Sequence, residues 1–433
     1  MIAELRRTFN EQFNAQRYSR LLKRVEQECG TKSAFRIAET PVFLERAALD
    51  QLANLGAALA RELLDNPQFL AEARHAIPAG YDVAGQTAHP HFLTADFALV
   101  AEAGGFAPRL VELQAFPSVF GFQDLLSSAY RDGYELPGNL DFYLGGLNEH
   151  SFWAKLAETV VGSHDPAHVV LAEVDPMHQK TLPDFLVTAR RLGIAIVDIA
   201  SLEGQGDRLY RRDAAGKRVL VERMYNRAIA DELIARGIRL KIDLTQPWQV
   251  EWAGHPNWYF LISKLAVPRL WRSDVGRGVV PPAVLLSDFL AGPGRAALED
   301  AGVPLQKAAP DAVYSELLLK PLFSFAGKGI QFAPSQAELE GIAPESRGSY
   351  LLQQRMDFAR TIDTPEGPTQ AEFRVLYLWP DGGALTPAIS LVRLGRGKMM
   401  GVDHNKDKTW VGASAALYPQ STGGRGLSSG SGS

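Results

Sequence analysis

The chain has 433 residues, of which 46% are hydrophobic and 22% are charged, and its formal net charge is −4. This length predicts two or three domains, and the near balance of charge argues against nucleic acid or an anionic membrane as a partner. No stretch approaches the ~18 apolar residues of a membrane span. The single cysteine, Cys29, excludes an intrachain disulfide, so we expect a cytoplasmic protein.

The two ends of the chain differ from its middle in their residue patterns. Apolar residues recur at helical spacing in the first segment, for example at Leu49, Leu52, Leu59 and Leu63. This spacing predicts an N-terminal helical cap over residues 1–78. The Gly- and Ser-rich residues 420–433 predict a flexible tail.

Residues 79–164 contain the first candidate site. The pattern in residues 94–118 predicts two strands joined by a Gly-rich turn, with Asp96 on the first strand and Glu112 on the second. Gln114 falls on the same face as Glu112 because side chains alternate along a strand. If the strands pair, the three oxygen-bearing side chains can converge on a hard cation. The alternative is a solvated polar face on an ordinary hairpin.

Residues 165–256 predict a small Rossmann-like domain. An apolar run at 168–176, an amphipathic helix at 182–193 and a second apolar run at 194–200 form a strand–helix–strand unit with a parallel crossover. The run at 218–229, followed by a short helical segment, predicts another such unit. A GxGxxG turn is missing, so the pattern does not indicate a dinucleotide site.

Residues 257–419 contain the basic residues that favour an anion site. Lys264 lies in an apolar, aromatic stretch, where it either extends to the surface or reaches an anion. Lys320 ends an apolar run, and Gly327, Lys328 and Gly329 form the loop of a predicted hairpin. Such a loop suits phosphate because glycine permits close approach and lysine supplies a point charge. The alternative is a plain β-hairpin with an exposed lysine.

A short buried strand is predicted next, and it is followed by a polar segment. Gln353, Gln354, Arg355 and Met356 form this segment, whose backbone can meet the hydrogen-bonding edge of a purine. Two further predicted strands carry arginines, and these are Arg374 and Arg393.

The order of these motifs resembles the ATP-grasp ligases, in particular the circularly permuted branch of glutathionylspermidine synthetase. Lys264 and Lys320 resemble the two nucleotide lysines of that family, and Asp96, Glu112 and Gln114 resemble its magnesium ligands. The metal-ligand strands precede the lysines here, which is the permuted order. Two departures are visible: Gln114 replaces an asparagine, and Thr94 stands where the synthetases have an arginine.

The resemblance implies a mixed α/β fold, namely a permuted ATP-grasp domain with a Rossmann-like domain and a helical cap. It implies ATP and Mg²⁺ as cofactors. The expected reaction joins a small carboxylic acid or peptide to an amine, with ADP formed through an acylphosphate. In this interpretation the lysines, the Gly327–Gly329 loop and residues 353–356 bind ATP, and Arg374 and Arg393 hold the reacting groups. A small-molecule kinase and a non-catalytic ATP-binding protein are the alternatives. The sequence does not indicate the oligomeric state.

Overall fold

The computed structural model describes residues 1–103, 105–134, 136–309, 311–324, 329–397, 400, 405 and 407–420. Within these residues the chain has a mixed α/β fold with several sheets. No helix in these segments is both long and apolar enough to cross a membrane.

The strands and helices are numbered in chain order. The strands are β1 (Val42–Phe43), β2 (Phe92–Glu102), β3 (Gly105–Gln114), β4 (Leu140–Asp141), β5 (Val169–Glu173), β6 (Ala195–Asp198), β7 (Glu203–Gln205), β8 (Arg208–Arg212), β9 (Arg218–Val221), β10 (Arg223–Asn226), β11 (Glu251–Ala253), β12 (Ala283–Leu285), β13 (Leu317–Pro321), β14 (Gln331–Phe332), β15 (Tyr350–Gln354), β16 (Gln370–Leu378), β17 (Thr386–Gly395) and β18 (Gly412–Pro419). The α-helices are α1 (Ala3–Gln12), α2 (Ala15–Cys29), α3 (Arg46–Leu64), α4 (Pro67–Arg74), α5 (Phe120–Gly133), α6 (Glu149–Val160), α7 (Leu182–Leu192), α8 (Ala230–Ala235), α9 (Trp258–Leu261), α10 (Val267–Leu270), α11 (Leu286–Ala291), α12 (Pro293–Asp300) and α13 (Gln336–Glu340).

The largest sheet brings the two ends of the chain together. Its strand order is β1-β18-β17-β16-β2-β3, with β4 paired to β18. The β2–β3 hairpin has the antiparallel pairing predicted from the sequence, and β16 pairs with the other edge of β2. This arrangement puts Asp96 between two neighbours, Glu112 on β3 and Arg374 on β16.

The N-terminal segment forms part of this sheet as well as covering it. Its helices α1 to α4 agree with the predicted helical character, but β1 pairs in parallel with β18. Helix α3 packs closely on the sheet at Gly56, where an added Cβ would lie 2.7 Å from the Cβ of Ala95. A larger residue at this position would push the helix away from the sheet.

A second sheet is parallel and has the order β11-β10-β5-β6. The parallel pairing of β5 with β6 across α7 confirms the predicted strand–helix–strand unit. The run at 218–229, predicted as one strand, is divided at Glu222. Strand β9 belongs to a separate antiparallel sheet with β7 and β8, whereas β10 joins the parallel sheet. The prediction of one continuous strand was therefore wrong. Glu222 lies between the two strands, and its carboxylate accepts a hydrogen bond from the ring of His168.

A third sheet carries the predicted lysine hairpin. Its order is β12-β15-β13-β14, and all its pairs are antiparallel. Pairing of Leu318 with Phe332 and of Leu319 with Gln331 confirms the hairpin. Strand β15 is buried in the middle of this sheet, as its apolar sequence predicts.

Candidate functional site

A cavity of about 550 Å³ lies between the largest sheet and the third sheet. Apolar side chains form part of its wall, and these include Val111, Leu318, Ile330, Phe332, Met356 and Phe358. Six basic side chains and four carboxylates line it among the described residues, namely Lys264, Lys320, Arg355, Arg360, Arg393, Arg396, Asp96, Glu112, Asp357 and Glu372. The excess of positive charge is local, since the whole chain carries a net charge of −4. Such a cavity favours an anionic ligand with an apolar portion.

Asp96 is held by two arginines from neighbouring strands. Arg374 donates to both of its carboxylate oxygens, Nε to Oδ1 and Nη2 to Oδ2, each at 2.6 Å. Arg393 Nη2 donates to Oδ2 at the same distance. The Asp96 side chain is only 2% exposed, so the pair is shielded from water. A bidentate, buried contact of this kind fixes both partners in one geometry.

Glu372 is a site residue that the sequence interpretation missed. It lies on β16 two residues before Arg374, and its Oε1 is 3.0 Å from Arg393 Nη2, without hydrogen-bond geometry. Burial raises the pKa of its carboxyl group, although Arg393 opposes the shift. The period-two alternation of β16 places Glu372 on the same face as Arg374, which is the signal that would have identified it.

Glu112 reaches the cavity because β3 contains a β-bulge. The register between β2 and β3 shifts next to Asp96, and both Val111 and Glu112 line the cavity. Glu112 Oε1 lies 2.9 Å from Lys264 Nζ, at an angle that is not that of a hydrogen bond. Lys264 Nζ also donates to the backbone carbonyl of Ser324 at 2.8 Å. Lys264 therefore points into the cavity and not to the surface.

Lys320 is buried near the end of β13, and it lines the cavity. Its Nζ donates to Gln353 Oε1 at 2.6 Å, and the amide nitrogen of Gln353 is left without a hydrogen-bond partner. Burial lowers the pKa of Lys320 to about 8, and the positive charge of Lys264 adds to this shift, while Glu112 opposes it. An anion in the cavity would stabilise the charged form of this lysine.

The loop after Lys320 is described only at its end. Gly327 and Lys328, predicted to bind phosphate, lie outside the described residues. Gly329 has a φ of 78°, a conformation that favours glycine, and an added Cβ would lie 2.9 Å from Cγ of Pro321. The predicted need for glycine thus has a physical basis at this position.

The segment predicted to contact a purine was residues 353–356, and only its second half lines the cavity. Arg355, Met356 and Asp357 line the cavity, whereas Gln353 and Gln354 stay within β15. The backbone N–H of Gln354 donates a hydrogen bond to the carbonyl of Pro282, and the backbone N–H of Arg355 donates one to the carbonyl of Glu316. These two N–H groups are therefore not available to a purine, and the residues of this segment that line the cavity begin at Arg355.

The predicted magnesium ligands are only partly assembled. Both oxygens of Asp96 are bound by arginines, and Gln114, opposite Thr94, does not line the cavity. In the described segments no group of three or more His, Cys, Asp or Glu side chains has the arrangement of a metal site. However, Oε1 of Glu112 and Oε1 of Glu372 are buried without a hydrogen-bond partner. Mg²⁺ usually takes one or two carboxylates together with substrate phosphates, so these two residues fit a cation that enters with a nucleotide.

A second group of charged residues lies next to Arg374, at the edge of the parallel sheet. Arg374 Nη1 is 3.5 Å from Ser118 Oγ, and Arg227 Nη1 donates to the Ser118 carbonyl at 2.7 Å. Burial raises the pKa of Glu173, at the end of β5, to about 8, and Arg227 opposes this shift. The Arg227 guanidinium is buried against three aromatic rings, those of Phe116, Phe185 and Tyr225. Open parallel sheets hold ligands at this edge, and the sequence interpretation assigned no role to Ser118, Glu173 or Arg227.

Comparison with known proteins supports the fold and gives no closer assignment. No protein-family model and no curated protein matches the chain. Among solved structures, the chain is similar to a glutathione synthetase-like effector, GSS30, from Globodera pallida, in its apo form. The TM-score is 0.56 at 11% sequence identity, over 93% of this chain and 96% of the effector. At this identity the similarity concerns the fold, which is like that of a glutathione synthetase-like protein over nearly the whole length of both chains.

Proposed function

We propose that the protein binds ATP with Mg²⁺ in the 550 Å³ cavity and uses it to join a carboxylate to an amine, with release of ADP and phosphate. The observation that carries this proposal is the convergence of Lys264, Lys320 and Arg393 on one cavity with an apolar wall. A triphosphate requires several fixed cations, and a purine requires an apolar slot with a backbone edge. The glutathione synthetase-like fold supports the same chemistry.

In this proposal the base lies against Met356 and Phe358, and the phosphates lie toward the two lysines. Lys320 is already desolvated and oriented by Gln353, so little reorganisation is needed when the phosphate arrives. The Gly327–Gly329 loop and Lys328 are proposed to cover the phosphates. Glu112 and Glu372 are proposed to hold Mg²⁺, which neutralises phosphate charge when bound.

The proposed reaction has two steps. An oxygen of the substrate carboxylate attacks the γ-phosphorus, the bond from that phosphorus to the bridging oxygen breaks, and ADP leaves with the electron pair. The amine nitrogen then attacks the carbonyl carbon, phosphate leaves with the C–O electron pair, and the nitrogen releases a proton. Arg393 and Arg374 are proposed to stabilise the negative charge that develops on the acyl group. The region around Ser118 and Arg227 is proposed to hold the carboxylate substrate.

A second candidate is a protein that binds ATP without turnover. It is favoured by the contact of Asp96 with two arginines, which removes one of the predicted metal ligands. It is also compatible with the structural neighbour, which is named as an effector.

The test is the release of ADP and phosphate from Mg²⁺-ATP in the presence of pooled carboxylic acids, small peptides and amines. A ligase releases both products in equal amounts, and only when a suitable acid and amine are both present. A kinase releases ADP without free phosphate. Lys320→Ala is the control, since it removes a buried cation of the proposed phosphate site. Tight ATP binding with no turnover in any pool would support the second candidate.

A further inference from the structure

Residues 396–397, 400, 405 and 407–411 are the described part of the connection between β17 and β18. The first of them line the cavity, and the last of them meet the N-terminal segment. Arg396, Gly397 and Met400 line the cavity. The Arg396 guanidinium is fixed on a turn, where it donates to Thr364 Oγ1 at 2.7 Å and to the carbonyl of Gly367 at 3.0 Å. The backbone N–H of Arg396 also donates to Asn405 Oδ1 at 3.1 Å, and the Asn405 carbonyl accepts from the backbone N–H of Lys408 at 3.2 Å. These contacts link the cavity end of the connection to its far end.

The far end of the connection contains a residue in an unfavourable backbone conformation. Trp410 has a φ of 58°, in the left-handed region that a bulky side chain rarely adopts. Such a conformation is unfavourable by about 1–3 kcal/mol and persists only where the surroundings enforce it. An outlier of this kind points to a constraint that neighbouring groups impose.

Glu39 supplies that constraint. Its Oε2 accepts a hydrogen bond from the backbone N–H of Trp410 at 2.7 Å, and Glu39 is only 6% exposed. The Trp410 ring packs against Phe13, with ring centroids 4.5 Å apart. The preceding residue, Thr409, donates its hydroxyl hydrogen to the Glu366 carboxylate. Two carboxylates and one ring thus fix this end of the connection.

The surroundings of Glu39 maintain its orientation. Arg36 forms an ion pair with Oε1, which leaves Oε2 for Trp410. The Tyr134 hydroxyl donates to the Glu39 backbone carbonyl at 2.8 Å, and the Tyr18 hydroxyl donates to that of Ile37 at 2.6 Å. Burial raises the pKa of the Glu39 carboxyl group, and Arg36 opposes this shift. The carboxylate is held in place by its partners and not by solvent.

We propose that Glu39 is a positioning residue for the nucleotide cavity, which acts through Trp410 and the nearby Lys408 on Asn405, and so on Arg396 at the cavity wall. The N-terminal segment would then set ATP affinity without touching the ligand. This inference rests on the proposed function, because its main readout is ATP binding.

The test compares three variants of the full-length chain. Glu39→Ala removes the acceptor of the Trp410 N–H, whereas Glu39→Gln keeps an amide oxygen in its place. Glu45→Ala is the matched control, an exposed acid in the same segment whose side chain makes no capping hydrogen bond. Mg²⁺-ATP affinity is measured by calorimetry, together with thermal unfolding and with hydrogen exchange in a peptide that covers residues 407–412.

We expect Glu39→Ala to weaken ATP binding roughly tenfold, the effect of one lost charge-assisted hydrogen bond, and to speed exchange in this peptide. Glu39→Gln should recover most of the affinity, and Glu45→Ala should match the wild type. Equal ATP affinity in wild type and Glu39→Ala would overturn the inference, even if the variant unfolds earlier. If Glu39→Ala does not fold, equal affinity of wild type and Glu39→Gln together with slow exchange at Trp410 supports the inference, and fast exchange contradicts it.

If the wild type binds no ATP, the proposed function itself fails. Faster exchange in Glu39→Ala would then show only that Glu39 holds Trp410.

Discussion

Arg374 binds both carboxylate oxygens of Asp96 at 2.6 Å, across the pairing of β16 with β2. The two residues are far apart in the chain but directly opposite in the sheet. Their contact joins the strand that was predicted to bind metal to the strand that was predicted to bind phosphate. The Asp96 carboxylate partly neutralises the charges of Arg374 and Arg393, and an anionic ligand would compete with Asp96 for Arg393.

Removal of Asp96 should destabilise the fold. Asp96→Ala leaves two arginine side chains without their shared carboxylate in a buried position, and we expect a loss of about 3–5 kcal/mol in the free energy of unfolding. Denaturant titration measures this loss. Asp274→Ala is the control, because it breaks an exposed ion pair with Arg277 and should leave the stability unchanged. Equal stabilities of the two variants would contradict a structural role for the Asp96 cluster.

Lys320 should make ATP affinity depend on pH. Its pKa is lowered to about 8 in the folded protein, so the side chain is charged below this value and becomes neutral as the pH rises through it. We therefore expect affinity to be highest below pH 8 and to fall by up to roughly tenfold per pH unit above it. Lys320→Arg keeps its charge over this range and should flatten the profile. A flat profile for the wild type would show that Lys320 does not face the phosphates.

The same shift predicts an effect on stability. The folded state binds the Lys320 proton less tightly than the unfolded chain, whose lysine has the ordinary pKa of 10.5. The destabilising contribution of the buried charge is fully present below about pH 8 and is relieved as the pH rises from there toward 10.5. The free energy of unfolding of the wild type, relative to that of Lys320→Met, should therefore increase over this interval. A constant difference between the two proteins would contradict the assignment.

Glu112 and Gln114 should differ in their effect on magnesium. Glu112 has a buried oxygen without a hydrogen-bond partner in the cavity, whereas Gln114 lies outside the cavity lining. We expect Glu112→Gln to abolish the enhancement of ATP binding by Mg²⁺, and Gln114→Ala to leave it unchanged. Titration of ATP with and without Mg²⁺ checks both variants. A loss of the enhancement in Gln114→Ala would restore Gln114 as a ligand and argue for a rearranged site.

The sequence was informative wherever local periodicity decides the structure. The β2–β3 hairpin, the β13–β14 hairpin and the parallel unit of β5 and β6 are all built from neighbouring segments, and each was predicted. Alternation along a strand put Glu112 and Gln114 on one face, but it did not give the register that pairs Asp96 with Glu112.

Contacts between segments that are far apart in the chain could not be predicted from local sequence patterns. The pairing of β1 with β18 and the contact of Asp96 with Arg374 depend on how whole elements pack, and no local pattern reports that. The β-bulge beside Asp96 adds one residue to β3, which period-two counting cannot anticipate. Alternation along β16 puts Glu372 on the face of Arg374, but its contact with Arg393 depends on the pairing of β16 with β17.

The most direct measurement is photolabelling with 8-azido-ATP in the presence of Mg²⁺, followed by mapping of the labelled peptides. A base bound in the cavity should label residues 330–333 or 355–360, and excess ATP should prevent this labelling. Lys320→Ala should lose most of the label at the same nucleotide concentration, whereas Gln114→Ala should keep it. Protected label elsewhere in the chain, or no ATP-protected label at all, would contradict the assignment of this cavity as the nucleotide site.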